Sequence, residues 1–234
     1  MLRTYSVLDT DPVLRRWTDP RRTGTRPSPL PFRRTDSLRR TLLFKRVFDY
    51  TFASALLALT LPLMAVCAGL VRLTSHGPAF YSQQRVGQFG RVFTLYKLRT
   101  MYHQCERLTG PTWSVPGDPR VTPVGRVLRA LHVDELPQLV NVLRGQMSMI
   151  GPRPERPEIA AQLARTIDDY DARSSVLPGI TGHAQVHLPP DVTVADVRDK
   201  VRLDRYYLSR LSTWFDLVTL VRTALRIVGV YRAK

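Results

Sequence analysis

The acidic pair Asp134-Glu135 is the part of the sequence that could most directly do chemistry. Pro137 is tolerated in a first helical turn, so a helix is predicted from about Asp134 to Arg144. The apolar positions of that helix, spaced i, i+3, i+4 and i+7, are Leu136, Leu139, Val140 and Leu143. Two carboxylates at a helix start lie where free backbone N–H groups can also receive phosphate oxygens. Taken alone, such a pair is more often only a helix cap.

Arginines near this pair favour phosphate chemistry. Arg129 lies five residues before Asp134, and Arg153 is placed between Pro152 and Pro154. In phosphoryl transfer one carboxylate can attack phosphorus while another holds Mg²⁺, and cations neutralise the diphosphate. Both arginines also fit ordinary salt bridges, so the spacing leaves two interpretations open.

The composition indicates an anionic partner. The chain has 234 residues, with 35 Lys and Arg against 19 Asp and Glu, which gives a net charge of +16. Nucleic acid, anionic lipid and phosphate-bearing substrates all suit this charge, but no helix-turn-helix or ribonucleoprotein signature supports nucleic acid. Cys67 lies in an apolar run and Cys105 in a polar one, and no zinc spacing is present. A reduced, cytoplasm-facing protein without a disulfide framework is therefore expected.

The N-terminal part combines a basic segment with an apolar one. Residues 1–40 are Arg- and Pro-rich and are predicted to form a disordered arm, which suits anionic headgroups or a solvated tail. The 22 residues from 50 to 71 carry no charge, enough helix to cross a bilayer core of ~30 Å. Pro62 would bend this helix, and Lys or Arg flanks both of its ends. A helix that enters and returns satisfies both signals, and a single crossing is the alternative.

The rest of the pattern predicts a helix-rich α+β fold. Alternation over 79–101 predicts two strands about a turn at 87–90, with Phe93, Leu95, Lys97 and Arg99 on one face. The remaining predictions are a loop over 107–120, a helix after Pro123, a polar helix over 157–170, a turn over 178–182 and a helical segment over 195–228. The apolar end of that last segment suits either the membrane interface or packing on the core.

Eight motifs in series resemble those of the monotopic phosphoglycosyl transferases, bacterial enzymes that initiate surface glycan assembly. The resemblance covers residues 43 to about 228. The motifs are Lys45-Arg-Val-Phe-Asp49, Arg85-Val-Gly87, Tyr96-Lys-Leu-Arg-Thr-Met101, Asp134-Glu-Leu-Pro-Gln-Leu139, Asn141-Val-Leu143, Met147-Ser-Met-Ile-Gly-Pro-Arg-Pro154, Pro178-Gly-Ile-Thr-Gly182 and Leu203-Asp-Arg-Tyr-Tyr207.

After the arm predicted from composition over 1–40, the resemblance implies a re-entrant membrane helix over 41–75 broken at Pro62. It also implies a cytoplasmic catalytic domain over 76–232 with interfacial amphipathic helices. It implies transfer of a sugar 1-phosphate from a UDP-sugar to polyprenyl (undecaprenyl) phosphate at the bacterial cytoplasmic membrane, with Mg²⁺ as cofactor. The mechanism would be ping-pong, through a covalent aspartyl phosphosugar and with release of UMP. Membrane lipids are expected as partners and nucleic acid is not. The sugar, the glycan pathway and the oligomeric state stay open.

Residue roles follow from the resemblance by position. Asp134 would be the nucleophile and Glu135 the Mg²⁺ ligand, so these two are the expected catalytic residues. Arg153 would bind the nucleotide diphosphate. The other expected substrate-binding residues are Lys97, Arg99, Arg129, Gln138 and Asn141.

Three departures from the family pattern bear on the bend and on the donor. Leu61 precedes Pro62 where Ser is common, His183 stands where Trp or Leu is common, and His187-Leu-Pro-Pro190 replaces Asn-Gly-Arg. His183 is expected to be a solvated loop residue, with a sugar contact as the alternative. Two rival functions remain: a non-enzymatic membrane-anchored scaffold that binds anionic lipid or nucleic acid, and a glycosyl transferase that releases nucleoside diphosphate.

Overall fold

The computed structural model describes residues 36–107, 114–115, 117–191 and 193–230. Most of the predicted arm, and residues 108–113 and 116 of the predicted 107–120 loop, lie outside this part. The helices and strands are α1 (Asp36–Thr74), β1 (Phe80–Val86), β2 (Val92–Leu98), α2 (Pro123–Ala130), α3 (Gln138–Leu143), β3 (Ser148–Ile150), α4 (Pro157–Thr166), β4 (Gly179–Thr181), α5 (His183–His187), α6 (Val194–Ser209) and α7 (Thr213–Ile227). The predicted helix-rich α+β class is confirmed.

The β1–β2 hairpin forms where alternation predicted it. The two strands are antiparallel, with Val86 opposite Val92, and a 3₁₀ turn at Gln88–Gly90 joins them. Phe93 and Leu95 are buried in the central hydrophobic cluster. The inward face of β2 therefore packs on the core, and Lys97 follows on that same face near its end.

Helix α1 is 39 residues long and includes Pro62 in its interior. Its secondary structure runs through Pro62 uninterrupted, so a bend at this residue stays a prediction. The helix begins at Asp36, inside the last residues of the predicted arm. It is long and apolar enough to cross a membrane. Its exposed apolar side chains include Leu59, Leu61, Leu63, Val66 and Leu70.

Both halves of α1 pack on the same globular domain. Ala53, in the first half, belongs to the central cluster, whereas Cys67 and Val71, in the second half, pack with Leu98 and Leu128. Met64, between these contacts, is also buried, whereas the outer face of the helix is left uncovered. Helix α1 is therefore part of the domain and not a detached anchor.

A buried polar cluster fixes the first half of α1. Lys45 Nζ lies 2.7 Å from Asp216 Oδ2 on α7, and the Tyr207 hydroxyl donates to Asp216 Oδ1 at 2.8 Å. One helical turn later, Asp49 Oδ1 accepts the backbone N–H of Met149 in β3 at 2.9 Å. These contacts join α1, β3 and α7 across long stretches of sequence.

The segment predicted as a turn over 178–182 contains strand β4, which pairs in parallel with β3. A Cβ added to Gly179 would lie 2.1 Å from Gly151 N, and one added to Gly182 would lie 2.1 Å from Gly151 O. Only glycine permits this approach. A buried strand of three residues gives no alternation, which explains why the sequence pattern missed it.

The predicted C-terminal segment over 195–228 is two helices. Thr193 and Asp196 form a capping box at the start of α6. Ser212 Oγ accepts the N–H of Phe215 at 3.2 Å and caps α7, so the chain turns between Ser209 and Thr213. One side of α7 packs on the core through Phe215 and Leu220.

We predict that Lys45→Met lowers the thermal midpoint of the protein in detergent far more than Arg46→Met. Removing Lys45 leaves the buried Asp216 carboxylate without its cation, which costs about 3–5 kcal/mol in comparable buried pairs. Arg46 is the matched control, since it is the next residue on α1 and is exposed. Equal thermal midpoints for the two variants would contradict the claim that the buried Lys45–Asp216 pair stabilises the fold.

Candidate active site

The Asp134-Glu135 pair lies in a 3₁₀ turn, Val133–Glu135, and not at the start of the predicted long helix. Pro137 has no N–H, so the i to i−4 bond to the Val133 carbonyl cannot form. That carbonyl instead accepts the N–H of Leu136 at 3.2 Å, and α3 begins only at Gln138. The pair therefore lies on a separate, sharply turned segment ahead of a short helix.

Glu135 is held between two cations from distant parts of the chain. Its Oε1 accepts from Lys97 Nζ and from Arg153 Nη2, each at 2.7 Å. Arg153 Nη1 also reaches Oε2 at 3.4 Å. The structure thus brings together the end of β2, the acidic turn and the Pro152-Arg-Pro154 segment.

The two neighbouring carboxyl groups have opposite pKa shifts. Burial raises the pKa of Glu135, but Arg153 and Lys97 outweigh it and hold that pKa well below the usual range. Burial also raises the pKa of Asp134; the Lys97 cation lowers it and the Glu135 charge raises it, and the net direction is upward. Glu135 therefore stays ionised as the partner of the cations, while Asp134 is the more basic of the two carboxyl groups.

Arg129 is set beside the acidic turn by α2. Its Nε donates to Thr100 Oγ1 and its Nη1 to Ser114 Oγ, both at 2.8 Å. The Arg129 charge lowers the pKa of Asp134, which places the cation near that carboxylate. A Cβ on Gly125 would lie 2.0 Å from the Thr100 carbonyl oxygen, so α2 packs too closely for any larger residue there.

Arg99 does not join this group. Its guanidinium donates to the carbonyls of Ser75, Gly77 and Pro78 at 2.9, 3.2 and 2.6 Å, and the residue is 4% exposed. It binds the end of α1 and the turn after it. Its Nη1 has no hydrogen-bond partner among the described residues, and its predicted phosphate contact stays a prediction.

Asn141 and Gln138 are both buried in α3. Asn141 Nδ2 donates to the Thr94 carbonyl at 2.7 Å and its Oδ1 accepts the N–H of Tyr96 at 3.2 Å, so the amide ties α3 to β2. Gln138 Nε2 has no hydrogen-bond partner within the described chain. The hydrogen bonds of Asn141 stabilise the fold. The substrate contacts predicted for Asn141 and Gln138 stay predictions.

His183 is buried in α5, contrary to its expectation as a solvated loop residue. Its ring lies 4.9 Å from that of Phe215 and 5.6 Å from that of Tyr206, measured between ring centroids. Burial lowers the pKa of His183 to about 4. The neutral imidazole therefore packs among aromatic rings.

Asp134 and Glu135 are also the residues that could hold Mg²⁺. Within the described residues no group of three or more His, Cys, Asp or Glu side chains could hold a metal ion. Mg²⁺ is commonly bound by one or two carboxylates together with substrate phosphates and water. Glu135 Oε2 accepts only the 3.4 Å contact from Arg153, so its lone pairs suit this role. The donor set fits Mg²⁺ that arrives with a diphosphate.

Sequence reasoning missed two arginines that contact the backbone of the Arg153 segment. Arg173 Nη2 donates to the Arg153 carbonyl at 3.0 Å, and Arg85 Nη1 donates to that of Pro154 at 3.0 Å. Arg85 belongs to a motif named above, but no local signal links either residue to Arg153. These contacts form only through the tertiary fold.

Comparison with known proteins places the chain among sugar transferases. A model of the bacterial sugar transferase family matches residues 40–229. The UDP-N-acetylgalactosamine-undecaprenyl-phosphate N-acetylgalactosaminephosphotransferase of Aeromonas hydrophila is 41% identical over 190 residues, which are 81% of this chain and 45% of that protein. The undecaprenyl-phosphate glucose phosphotransferase of Komagataeibacter xylinus is 40% identical over 190 residues, 79% of this chain and 36% of the relative.

A third relative has more similar length. The UDP-glucose:undecaprenyl-phosphate glucose-1-phosphate transferase of Caulobacter vibrioides is 44% identical over 185 residues, which are 77% of this chain and 68% of the relative. The chain spans less than half the length of the Aeromonas and Komagataeibacter proteins.

We predict that Lys97→Met raises the pKa of both Glu135 and Asp134, because the Lys97 cation lowers both. Loss of a cation at this distance is expected to move the pKa of Glu135 by about one pH unit or more. Titration of site-assigned carboxyl ¹³C signals by NMR measures both values. Arg46→Met, which removes an exposed cation on α1, is the control and should leave them unchanged. A Glu135 pKa unaltered by Lys97→Met would contradict the electrostatic assignment.

Proposed function

The chain belongs to the bacterial sugar transferase family, and we propose that it moves a sugar 1-phosphate from a UDP-sugar to polyprenyl (undecaprenyl) phosphate, releasing UMP. One observation carries the proposal. Asp134, whose pKa is raised, is adjacent to Glu135, which Lys97 and Arg153 keep ionised. Such a site can present a nucleophile to phosphorus and neutralise the charge of a diphosphate. The names of the relatives, which include undecaprenyl phosphate and UDP-sugars, agree with this chemistry.

The proposed reaction has two displacements at the phosphorus attached to the sugar. Asp134 Oδ attacks this phosphorus, the bond to the bridging diphosphate oxygen breaks, and UMP leaves with the electron pair. An oxygen of the prenyl phosphate then attacks the same phosphorus and releases the Asp134 carboxylate. The products are UMP and a polyprenyl diphosphate sugar. The soluble donor and the lipid acceptor never need to occupy the site together.

The cations have separate proposed roles in binding. The planar guanidinium of Arg153 suits two oxygens of the diphosphate, and the ammonium group of Lys97 adds a point charge to the same diphosphate. Arg129 lies near Asp134, where it can receive oxygens of the transferred group. Glu135 would hold Mg²⁺, which, when bound, supplies positive charge to the diphosphate.

We also propose that α1 is re-entrant, with both ends at the cytoplasmic face. Lys45 in its first half pairs with Asp216, and the carbonyl of Ser75, just after its end, accepts from Arg99. Both partners belong to one domain, which cannot lie on two sides of a ~30 Å hydrocarbon core. Basic residues at both flanks support the same topology.

The outer face of α7 supports contact with the membrane interface. It carries an exposed apolar stripe at helical spacing, consisting of Trp214, Leu217, Val221 and Leu225. Trp on an amphipathic helix commonly lies at the headgroup level of a bilayer. The catalytic domain would then rest on the surface from which the prenyl phosphate is reached.

A non-enzymatic basic scaffold accounts for the net charge of +16 but not for the acidic turn. Two adjacent buried carboxylates cost stability unless cations compensate them. A protein that only binds anionic lipid has no use for such a pair, so the enzymatic function is favoured.

We predict that Asp134 becomes covalently loaded with sugar phosphate when the protein is incubated with labelled UDP-sugar and Mg²⁺ but no lipid. One equivalent of UMP should appear, and peptide mapping by mass spectrometry should place the label on Asp134. Asp134→Asn should abolish both signals, because an amide of nearly the same shape is a poor nucleophile.

Asp169→Asn is the control, since Asp169 is a half-exposed partner of Arg205 away from the acidic turn, and it should label normally. Labelling that survives in Asp134→Asn, or that maps to another residue, would show that the nucleophile has been misassigned.

We predict that both ends of α1 face the cytoplasm, and the test uses two single-cysteine variants. Arg40→Cys and Phe80→Cys are each made in a chain whose native Cys67 and Cys105 have been replaced. Both positions are exposed on the protein, one near each end of α1. Neither cysteine should react with a membrane-impermeant maleimide added to intact cells, and both should react after permeabilisation. A periplasmic cysteine reporter in the same cells controls for labelling. Reaction of either position from outside excludes the re-entrant topology.

A further inference from the structure

The backbone around Arg153 is fixed through its carbonyl groups. Pro152 and Pro154 have no N–H, so the backbone of this segment is held mainly through acceptors. Four successive carbonyls receive hydrogen bonds from different parts of the chain. They are Pro152 O from Gly179 N at 2.9 Å, Arg153 O from Arg173 Nη2 at 3.0 Å, Pro154 O from Arg85 Nη1 at 3.0 Å, and Glu155 O from Val86 N at 2.8 Å.

Arg173 makes the contact at the central residue and is itself held from behind. Its Nη2 lies 2.8 Å from Asp204 Oδ2 on α6, and the Asp204 side chain is 2% exposed. Its Nη1 donates to the Tyr170 hydroxyl at 3.2 Å, with the guanidinium carbon 5.3 Å from the centre of the Tyr170 ring. A planar guanidinium can serve a carboxylate, a hydroxyl and a carbonyl at once in fixed directions.

A cavity beside Arg173 is lined in part by Gly87, Arg153, Tyr170 and Arg173. Within it, Nη1 and Nη2 of Arg173 are already engaged by Tyr170, Asp204 and the Arg153 carbonyl. These partners all belong to the protein itself, and they account for the pairing of a largely buried Arg with a buried Asp.

We infer that Arg173 and Asp204 are positioning residues that hold the backbone of Arg153 so that its guanidinium meets Glu135 and the donor diphosphate. This rests on the proposed function, in which Arg153 binds the diphosphate. The chain of contacts runs from the Asp204 carboxylate through Arg173 to the Arg153 carbonyl, and from the Arg153 guanidinium to Glu135 Oε1 at 2.7 Å. A shift of ~1 Å in the backbone would break that last contact, and such misplacement can cost two orders of magnitude in rate.

The test compares Arg173→Lys with Arg205→Lys in the full chain. Lysine keeps a cation beside Asp204, which preserves folding, but it cannot serve Asp204, Tyr170 and the Arg153 carbonyl together. Arg205, which like Asp204 lies on α6, is the matched control. It forms a half-exposed ion pair with Asp169 at 3.2 Å. Asp169 directly precedes the 3₁₀ turn that carries Arg173. Each substitution is made in the wild-type and the Arg153→Ala backgrounds.

Two measurements decide the outcome. The amides of Gly179 and Val86 bond to Pro152 O and Glu155 O, on either side of the Arg153 carbonyl that Arg173 binds. Their hydrogen exchange should accelerate in Arg173→Lys and not in Arg205→Lys. The kcat/KM for the UDP-sugar should fall on the order of 10-fold in the wild-type background, but less than about two-fold in Arg153→Ala, since residues acting through one group are not additive.

Unchanged exchange in Arg173→Lys, or faster exchange with donor use unaltered, overturns the inference. So does an equal fold loss of kcat/KM in both backgrounds, which indicates general destabilisation. If the wild-type chain turns over no UDP-sugar, the proposed function fails instead, and the exchange measurement alone then decides whether Arg173 positions this segment.

Discussion

The shared hold of Lys97 and Arg153 on Glu135 is the interaction on which the candidate site depends. Lys97 Nζ, at the end of a hairpin, and Arg153 Nη2, in a proline-bounded segment, each lie 2.7 Å from Glu135 Oε1 in the 3₁₀ turn. Burial is the main cause of the raised pKa of the neighbouring Asp134 carboxyl, and the charge of the ionised Glu135 raises it further. The difference between two adjacent carboxylates thus arises from where the fold places two cations.

Helix α1 takes part in this arrangement and does not merely tether it. Asp49 binds the N–H of Met149 in β3, and β3 leads directly into the segment that carries Arg153. At its other end, Arg99 ties the close of α1 to the close of β2, two residues after Lys97. Arg153 thus follows a strand that is anchored to α1, and Lys97 lies near the end of the strand that Arg99 ties to α1. These contacts couple the geometry of the site to this long apolar helix.

Local patterns predicted much of the fold and only part of the site. The hairpin, the helix after Pro123 and the acidic pair are visible from alternation, turn residues and motif order. Strand β4 was missed because its three residues carry no periodicity, and the bonds of Arg99 to the carbonyls after α1 were not foreseen because they leave no local pattern. Arg173 was missed for the same reason, since a bond to the Arg153 carbonyl leaves no pattern in the sequence. Contacts between side chains and distant backbone require the tertiary fold.

The central claim is that the acidic turn transfers a sugar with its phosphate, and the nucleotide released tests it most directly. The purified full chain would be supplied with a panel of UDP-sugars, undecaprenyl phosphate and Mg²⁺, and the nucleotide product identified by chromatography against standards. The account predicts UMP in equal amount to a polyprenyl diphosphate sugar. Release of UDP would contradict it, because the sugar would then have moved without its phosphate.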